Sequence, residues 1–369
     1  MGSISDHSNS PDTFEEDWKF AMQLSIASVL PMAIKALIEL DVFEIISKCG
    51  QGAPLSASEI ASHLPTSNQH DAAATLDRVL RLLASFSVLT CTSRTRADGC
   101  VERVYGLASV CKFLVKNQEG ASLATMTLLV QDRVFLDMWH HVKDAVLEGG
   151  LPFIRAHGKS SYEYISTVLK FSELFYKAMW DHSTIVLPRI LETYKGFEGI
   201  KELVDVGGGT GASLNMIISK YPHIKGLNFD LPEVVATAPN YPGVEHVGGD
   251  MFASVPSAEA ILFKSLYTMK WIFSHWTDEQ CLQILKNCYK ALPDSGKVII
   301  VENVLPEEIK NDVGAQDTLQ FDVIEIAWSE GKMRTVKELE ELAKIAGFAG
   351  LSLVSFACNL GVMECYKTV

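Results

Sequence analysis

The sequence predicts an α/β protein in two parts: a helical N-terminal module closed by a β-hairpin, then a mostly parallel sheet with helices on both faces. Three observations carry this reading. From Leu203 onward, short apolar, β-branched runs alternate with helical stretches. A glycine-rich turn follows the first of these runs. Ahead of them, helical periodicity gives way to two β-rich runs around Asp98-Gly99. Alternating strands and helices imply parallel pairing, because each crossover helix returns the chain to the same edge of the sheet.

Residues 1–12 read as a flexible, polar tail, and Thr13-Phe-Glu-Glu16 fits a capping box that opens a helix. Pro31 suits the first turn of a second helix, in which Ile34, Leu37, Ile38 and Val42 recur at helical spacing. Residues 57–63 and 73–87 read as two more helices. The stretch Val88–Leu107, centred on Asp98-Gly99, reads as a hairpin. Helices followed by a hairpin make a winged-helix-like module. Residues 119–195 read as mostly helical, broken at Gly149-Gly150-Leu-Pro152. The runs Leu203–Val206, Gly226–Phe229, Val244–Val247, Ala260–Leu266 and Lys297–Glu302 are the expected parallel strands. Leu351–Phe356 and Val362–Tyr366 are too close for a crossover and so form an antiparallel pair at the sheet edge. The expected divisions are a tail over 1–18, a winged-helix-like domain over 19–118, a helical region over 119–195 and a sheet domain over 196–369.

Composition narrows the function. The chain has 369 residues and a net charge of −13. That balance opposes nucleic-acid binding, which needs clustered Lys and Arg, so the winged-helix-like module is expected to dimerise rather than to hold DNA. None of the eight cysteines forms a CxxC pair, and no Cys/His cluster has zinc spacing, so no metal site is expected. The polar, acidic opening is unlike a secretory leader, the ends match neither a myristoylation nor a CaaX pattern, and no apolar run is long enough to span a bilayer. A cytoplasmic protein with reduced thiols and no membrane partner is expected.

Leu203-Val-Asp-Val-Gly-Gly-Gly-Thr-Gly211 is a strand entering a glycine turn that lets the backbone approach a ligand closely. Asp230 closes the next strand, at a spacing that suits ribose hydroxyls. Read with Ala212, the turn also matches G-x-G-x-x-A, so by itself it leaves a nicotinamide dinucleotide and S-adenosylmethionine (SAM) both open.

With Asn228-Phe-Asp-Leu-Pro232 and Pro242-Gly-Val-Glu-His-Val-Gly-Gly-Asp-Met-Phe252 added, the chain resembles the plant caffeate O-methyltransferases. Phe20-Ala-Met-Gln, Leu76-Asp-Arg-Val-Leu-Arg-Leu-Leu, Asp181-His-Ser-Thr and Asn287-Cys-Tyr-Lys-Ala-Leu-Pro extend the resemblance from about Phe20 to the C-terminus. It implies a seven-stranded Rossmann-like methyltransferase sheet and a homodimer formed through the N-terminal domain. It also implies that SAM, or S-adenosylhomocysteine after transfer, is held by Ser183, Gly207, Asp230, Asp250, Met251 and a lysine. The substrate it implies is a small flat phenol or coumarin. Leu129, Val130, Phe171, Phe175, Met179, Trp180, His182, Ile324, Ser329 and Met333 would line its pocket. From the residues alone, core packing is the favoured account of Phe171, Phe175 and Met179, and the resemblance reverses that preference.

The reacting residues depart from the family pattern. Phenol methylation needs a base, and the family uses a His within Met-Lys-Trp-Ile-x-His-Asp-Trp. Here the segment reads Met269-Lys-Trp-Ile-Phe-Ser-His-Trp276, with Ser274 in place of the His and His275 in place of the Asp. One orienting carboxylate survives as Glu302; at the other position Met333 stands in Lys332-Met-Arg-Thr335, and a thioether cannot orient an imidazole. Six residues are inserted around 265–270, so Lys264 and Lys270 both compete for the cofactor lysine. The insertion leaves open whether His275 turns into the site or away from it. Glu325, in Asp322-Val-Ile-Glu-Ile-Ala, is either a pocket carboxylate or part of a solvated helix face.

These departures favour a repurposed enzyme. Ser274, His275, Glu302, Glu325 and His182 would supply acid–base chemistry without a methyl donor, such as ring closure in a prenylated phenol or coumarin. The alternative is an active O-methyltransferase with His275 as a displaced base. A second alternative is a non-catalytic dimer partner of an active paralogue.

Overall fold

The structure is a computed structural model and describes residues 11–49, 53–264 and 272–368. It divides into two compact units, one of Met1–Gln118 with Ser122–Gln131, the other of Glu119–Ala121 with Asp132–Val369.

The first unit begins with α1 (Pro11–Ser25), α2 (Val29–Glu39) and α3 (Val42–Cys49). Then come β1 (Leu55–Ser56), α4 (Ala57–Ala61), α5 (Gln69–Ser85), β2 (Leu89–Thr95), β3 (Val101–Leu107) and α6 (Ala124–Val130). β2 and β3 pair antiparallel, and β1 adds to the other side of β3. Gly99, at φ +80°, makes the expected hairpin turn between them. Two helix starts differ from the sequence reading. α1 begins at Pro11, so Thr13 lies inside its first turn rather than capping it. α5 begins four residues before the expected start, because Asn68 caps it by accepting from the Asp71 N–H. Ser56 and Glu59 form a reciprocal capping box at α4. Leu37, Phe43, Ile46, Ile60, Leu80, Leu83 and Tyr105 fill the core. α1 leaves Phe14, Trp18, Phe20, Met22 and Leu24 exposed.

The second unit opens with α7 (Arg133–Trp139), α8 (Val142–Glu148), α9 (Pro152–His157), α10 (Ser161–Thr167) and the long α11 (Leu169–Thr193). The break between α8 and α9 falls at Gly149 and Gly150, both at positive φ. The sheet domain follows as β4 (Glu202–Val206), α12 (Ala212–Lys220), β5 (Lys225–Asp230), α13 (Pro232–Val235), β6 (Val244–Gly248) and β7 (Ala260–Lys264). After it come α14 (Ile272–His275), α15 (Asp278–Ala291), β8 (Lys297–Leu305), α16 (Val313–Trp328), β9 (Arg334–Thr335), α17 (Val336–Ala346), β10 (Gly350–Ala357) and β11 (Leu360–Tyr366). Of the run expected over Ala260–Leu266, Ser265 and Leu266 lie outside the described residues.

The strand order is β10-β11-β8-β7-β4-β5-β6, with the two-residue β9 beside β8. β6, β5, β4, β7 and β8 run parallel, and β11 and β10 close the edge antiparallel, as expected. The seven-strand path is the Rossmann-like sheet that the sequence resemblance implied. Its central strands are buried on both faces, with Leu203, Val204, Ile261, Leu262, Val298 and Ile299 fully covered. From β4 the chain crosses to β5 on one side, while β7 lies on the other. The carboxyl end of β4 is therefore a topological switch point, where open α/β sheets leave a ligand crevice. Among the described residues no single helix is long and apolar enough to cross a membrane.

Candidate active site

Five site segments sit at the carboxyl ends of the parallel strands: the glycine turn after β4, Asp230 at β5, Asp250 after β6, Lys264 at β7 and Glu302 on β8. In the turn, Gly207, Gly209 and Gly211 all have positive φ, at 66°, 56° and 78°. A Cβ on Gly208 would come within 1.8 Å of Asn228 Oδ1. Asp230 locks the turn: its Oδ2 accepts from the Gly209 N–H at 2.7 Å, and its Oδ1 accepts from the Leu231 N–H at 2.8 Å. Asn228 Nδ2 donates to the Gly209 carbonyl at 2.7 Å. Asp250 accepts from the Phe252 N–H, while Asn287 of α15 donates to the carbonyls of Met251 and Phe252. The buried Lys264 donates to Ser213 Oγ on α12. A turn with no room for side chains, a carboxylate at the next strand end and a second acidic turn beyond it suit a nucleoside-bearing cofactor such as SAM. Of the two competing lysines, Lys264 ends β7, and Lys270 lies outside the described residues. Ser183 is half-buried on α11.

The reacting half is built around α14. Ser274 and His275 are both buried at its end. His275 Nδ1 lies 2.9 Å from Glu325 Oε2, and Glu325 is only 1% exposed. Of the two placements open for Glu325, the structure selects the buried carboxylate. Ser329 Oγ donates to that same carboxylate oxygen at 2.8 Å and in turn accepts from the Gly331 N–H. His275 is thus turned inward, and the carboxylate it meets comes from α16 rather than from position 333. Met333 is buried without that role, its N–H donating to Asp322.

Two residues missed at the sequence level hold α14 in place. Arg334, buried, donates to the carbonyls of Phe273, Trp276 and Lys332 and forms an ion pair with Asp278 at 2.6 Å. It ties the last carbonyls of α14 to the start of α15. Gly331 allows the loop after α16 to pass against the α14 backbone, since a Cβ there would meet the Ser274 carbonyl oxygen at 1.8 Å. Arg334 stands inside the Lys332-Met-Arg-Thr motif, and that was its only sequence signal.

Glu302 is the anomaly. Neither of its oxygens, nor Ser274 Oγ, makes a hydrogen bond of ordinary geometry among the described residues. A buried polar group left in this way costs about 1–3 kcal/mol. Burial pushes the Glu302 carboxyl up to about 7; Ser274, Arg334 and His275 oppose the rise, and Glu325 adds to it. His182 behaves in the opposite way. Burial, helped by the Lys264 charge, holds its imidazole down to about 3, so it stays neutral across the working range. That makes its imidazole a weaker base than a histidine ordinarily is.

Phe171 and Phe175 are buried on α11 around Trp328 of α16, their ring centroids 6.4 and 6.0 Å from the indole. Phe135 stacks on the same indole at 4.8 Å. Trp328 is thus the hub of a buried aromatic cluster, and the sequence reading overlooked it. Met179 is buried nearby on α11, and Ile324 is half-buried beside Glu325 on α16. Trp180, expected to line the pocket, is 42% exposed with Lys177 Nζ above its ring. Leu129 and Val130 belong to the first unit.

Comparison with known proteins places these features in one family. Residues 139–349 match the O-methyltransferase domain family, and residues 22–117 match the O-methyltransferase dimerisation domain. The chain is 55% identical over 356 residues to a caffeic acid 3-O-methyltransferase of Medicago sativa, covering 96% of each. It is 54% identical to a caffeic acid 3-O-methyltransferase of Populus tremuloides over the whole of both chains. Among solved structures, the fold matches human N-acetylserotonin methyltransferase in complex with SAM, with a TM-score of 0.75 at 19% identity over all of both chains. It also matches a methyltransferase of calicheamicin biosynthesis in its S-adenosylhomocysteine-bound form, with a TM-score of 0.78 at 23% identity, covering 96% of this chain and 98% of the other. With the glycine turn, the strand-end carboxylates and these full-length likenesses together, the chain belongs to the plant caffeic acid O-methyltransferase family.

Proposed function

We propose that this chain methylates the hydroxyl of a flat phenylpropanoid-type phenol with SAM as donor, using His275 as base and working as a homodimer. The buried His275–Glu325 pair carries the reading. SAM, when bound, supplies a methyl group activated on a sulfonium. Gly207, Asp230, Asp250, Met251 and Lys264 are the residues to hold it, and the paired, side-chain-free turn supports that assignment. With Nδ1 facing the Glu325 carboxylate at 2.9 Å, Nε2 is the nitrogen assigned to take the phenol proton. Glu325 balances the imidazolium so formed, and Ser329 fixes Glu325. The aromatic wall around Trp328 suits a flat ring. The exposed apolar face of α1, whose last turn enters the dimerisation domain at residue 22, suits burial against a second copy. The curated relatives named above are methyltransferases, so methyl transfer takes precedence over the repurposed reading that the altered residues alone favoured.

The test is incubation of the purified protein with plant phenols and prenylated coumarins, with and without SAM, read by mass spectrometry. The expected product is one methyl group heavier and forms only with SAM. His275→Ala should lower kcat/KM by about 10²- to 10⁴-fold. An unchanged rate in that variant would remove His275 as base.

One observation favours a second reading. A carboxyl titrating near 7 beside the His275–Glu325 pair puts an acid next to a base. Methyl transfer needs only the base, whereas ring closure of a phenol or coumarin whose prenyl group already carries an epoxide needs both. In that step the acid would protonate the epoxide oxygen while the base takes the proton of the attacking hydroxyl. An isomer of the substrate, formed equally without SAM, would assign this chemistry.

A further inference from the structure

Tyr162, on α10, is absent from every role assigned so far. Its hydroxyl is buried and has no hydrogen-bond partner among the described residues. Its ring lies edge-on to the His275 imidazole, with centroids 6.1 Å apart, and stacks on Trp276 within 10° of parallel at 6.2 Å. The ring is therefore held on two sides while its one polar atom is left unused beside the dyad. A buried hydroxyl is ordinarily satisfied, and one left open next to a reacting group is placed for something that binds there.

We propose that the Tyr162 hydroxyl donates a hydrogen bond to the substrate oxygen that His275 deprotonates, stabilising the phenolate as it forms. The proposal rests on the reading of His275 as the group that faces the substrate hydroxyl. Burial and the neighbouring Glu325 charge hold the Tyr162 phenol above its usual range, so it keeps its proton and acts as a donor rather than a second base. The charged groups around the dyad, Glu325, Glu302 and Arg334, belong to α16, β8 and β9, and none of them bonds to this hydroxyl. A fixed donor aimed at a developing oxyanion acts without reorganisation, which is where such donors are most effective.

The probe is 4-nitrophenol, whose ionisation is read directly by absorbance while it is bound to the full-length protein. Tyr162→Phe removes only the hydroxyl and keeps the ring stacked on Trp276. The bound dye is expected to ionise about one pH unit higher in this variant than in the unmodified protein, with kcat/KM for the natural class of phenols down about 10- to 100-fold. The melting temperature should be unchanged or higher. An identical dye titration in both proteins would overturn the proposal. A lower melting temperature in the variant would overturn it too, because the hydroxyl would then be holding the fold. His275→Ala on the same dye separates the two readings. If it suppresses ionisation and Tyr162→Phe does not, Tyr162 falls and the base stands. If only Tyr162→Phe acts, the base falls and Tyr162 stands.

Discussion

The carboxyl ends of β4 and β5 and those of β7 and β8 belong to one sheet, yet they handle polar groups in opposite ways. At β4 and β5 the polar groups are largely paired: Asp230 bonds two backbone N–H groups, and Asn228 Nδ2 bonds the Gly209 carbonyl. At β8 and α14, Ser274 Oγ, both oxygens of Glu302 and Asn303 Oδ1 make no hydrogen bond of ordinary geometry among the described residues, although Ser274 stands close enough to Glu302 to oppose the rise of its carboxyl. The first region is closed by the chain itself apart from Asn228 Oδ1, which has no hydrogen-bond partner among the described residues. The second carries unspent polar groups, and stability alone gives no reason to keep them. The glycine turn is thus tied down by its own neighbours, whereas the strand ends around α14 keep polar groups in reserve.

The sharpest way to break the comparison is Gly331→Ala. Its Cβ would sit 1.8 Å from the Ser274 carbonyl oxygen, so α14 must move and the His275–Glu325 contact must open. Turnover should fall about 10²-fold, comparable to loss of the base, while SAM affinity by calorimetry stays unchanged. Equal loss of both would mean that the two halves are mechanically one.

Asp230→Ala is the mirror experiment. It removes the acceptor that fixes the Gly209 N–H, so SAM affinity should fall about tenfold or more, equivalent to one lost hydrogen bond to a charged group. Binding of a phenol measured without SAM should be unaltered. A matching loss of phenol binding would join the halves again.

The smallest effect concerns Glu302. Its folded-state value, about 7, lies above the ordinary carboxylate value of 4.5, so the fold favours the protonated form. Stability is therefore greatest at low pH and is lost as the pH climbs from the unfolded value through 7. Glu302→Gln should raise the melting temperature at about pH 8 and change it little at about pH 5, with a ceiling of about 3 kcal/mol. A gain that does not depend on pH would mean the carboxyl is not neutralised by burial.

How much was legible depends on the range of the signal. Strand runs, the Asp98-Gly99 turn and the edge pair could be read because each is encoded within a few neighbouring residues. The helix starts at Pro11 and Gln69 were missed for a local reason: the Asn68 cap lay outside the apolar pattern used to place α5. Trp328 was overlooked because its partners, Phe135, Phe153, Phe171 and Phe175, come from three other helices. Neither Arg334 nor Gly331 shows in sequence what it touches.

The sequence by itself determined the sheet, the glycine turn with Asp230 and the family. These are written in contiguous motifs, whose geometry follows from backbone conformation and strand periodicity. Tertiary structure alone decided which way His275 faces and which carboxylate meets it. One added residue turns a helix by about 100°, so the direction of His275 after an insertion depends on what packs against α14. Arg334, Gly331 and Glu325 do that packing, and they reach α14 only once β8, α16 and β9 have folded beside it.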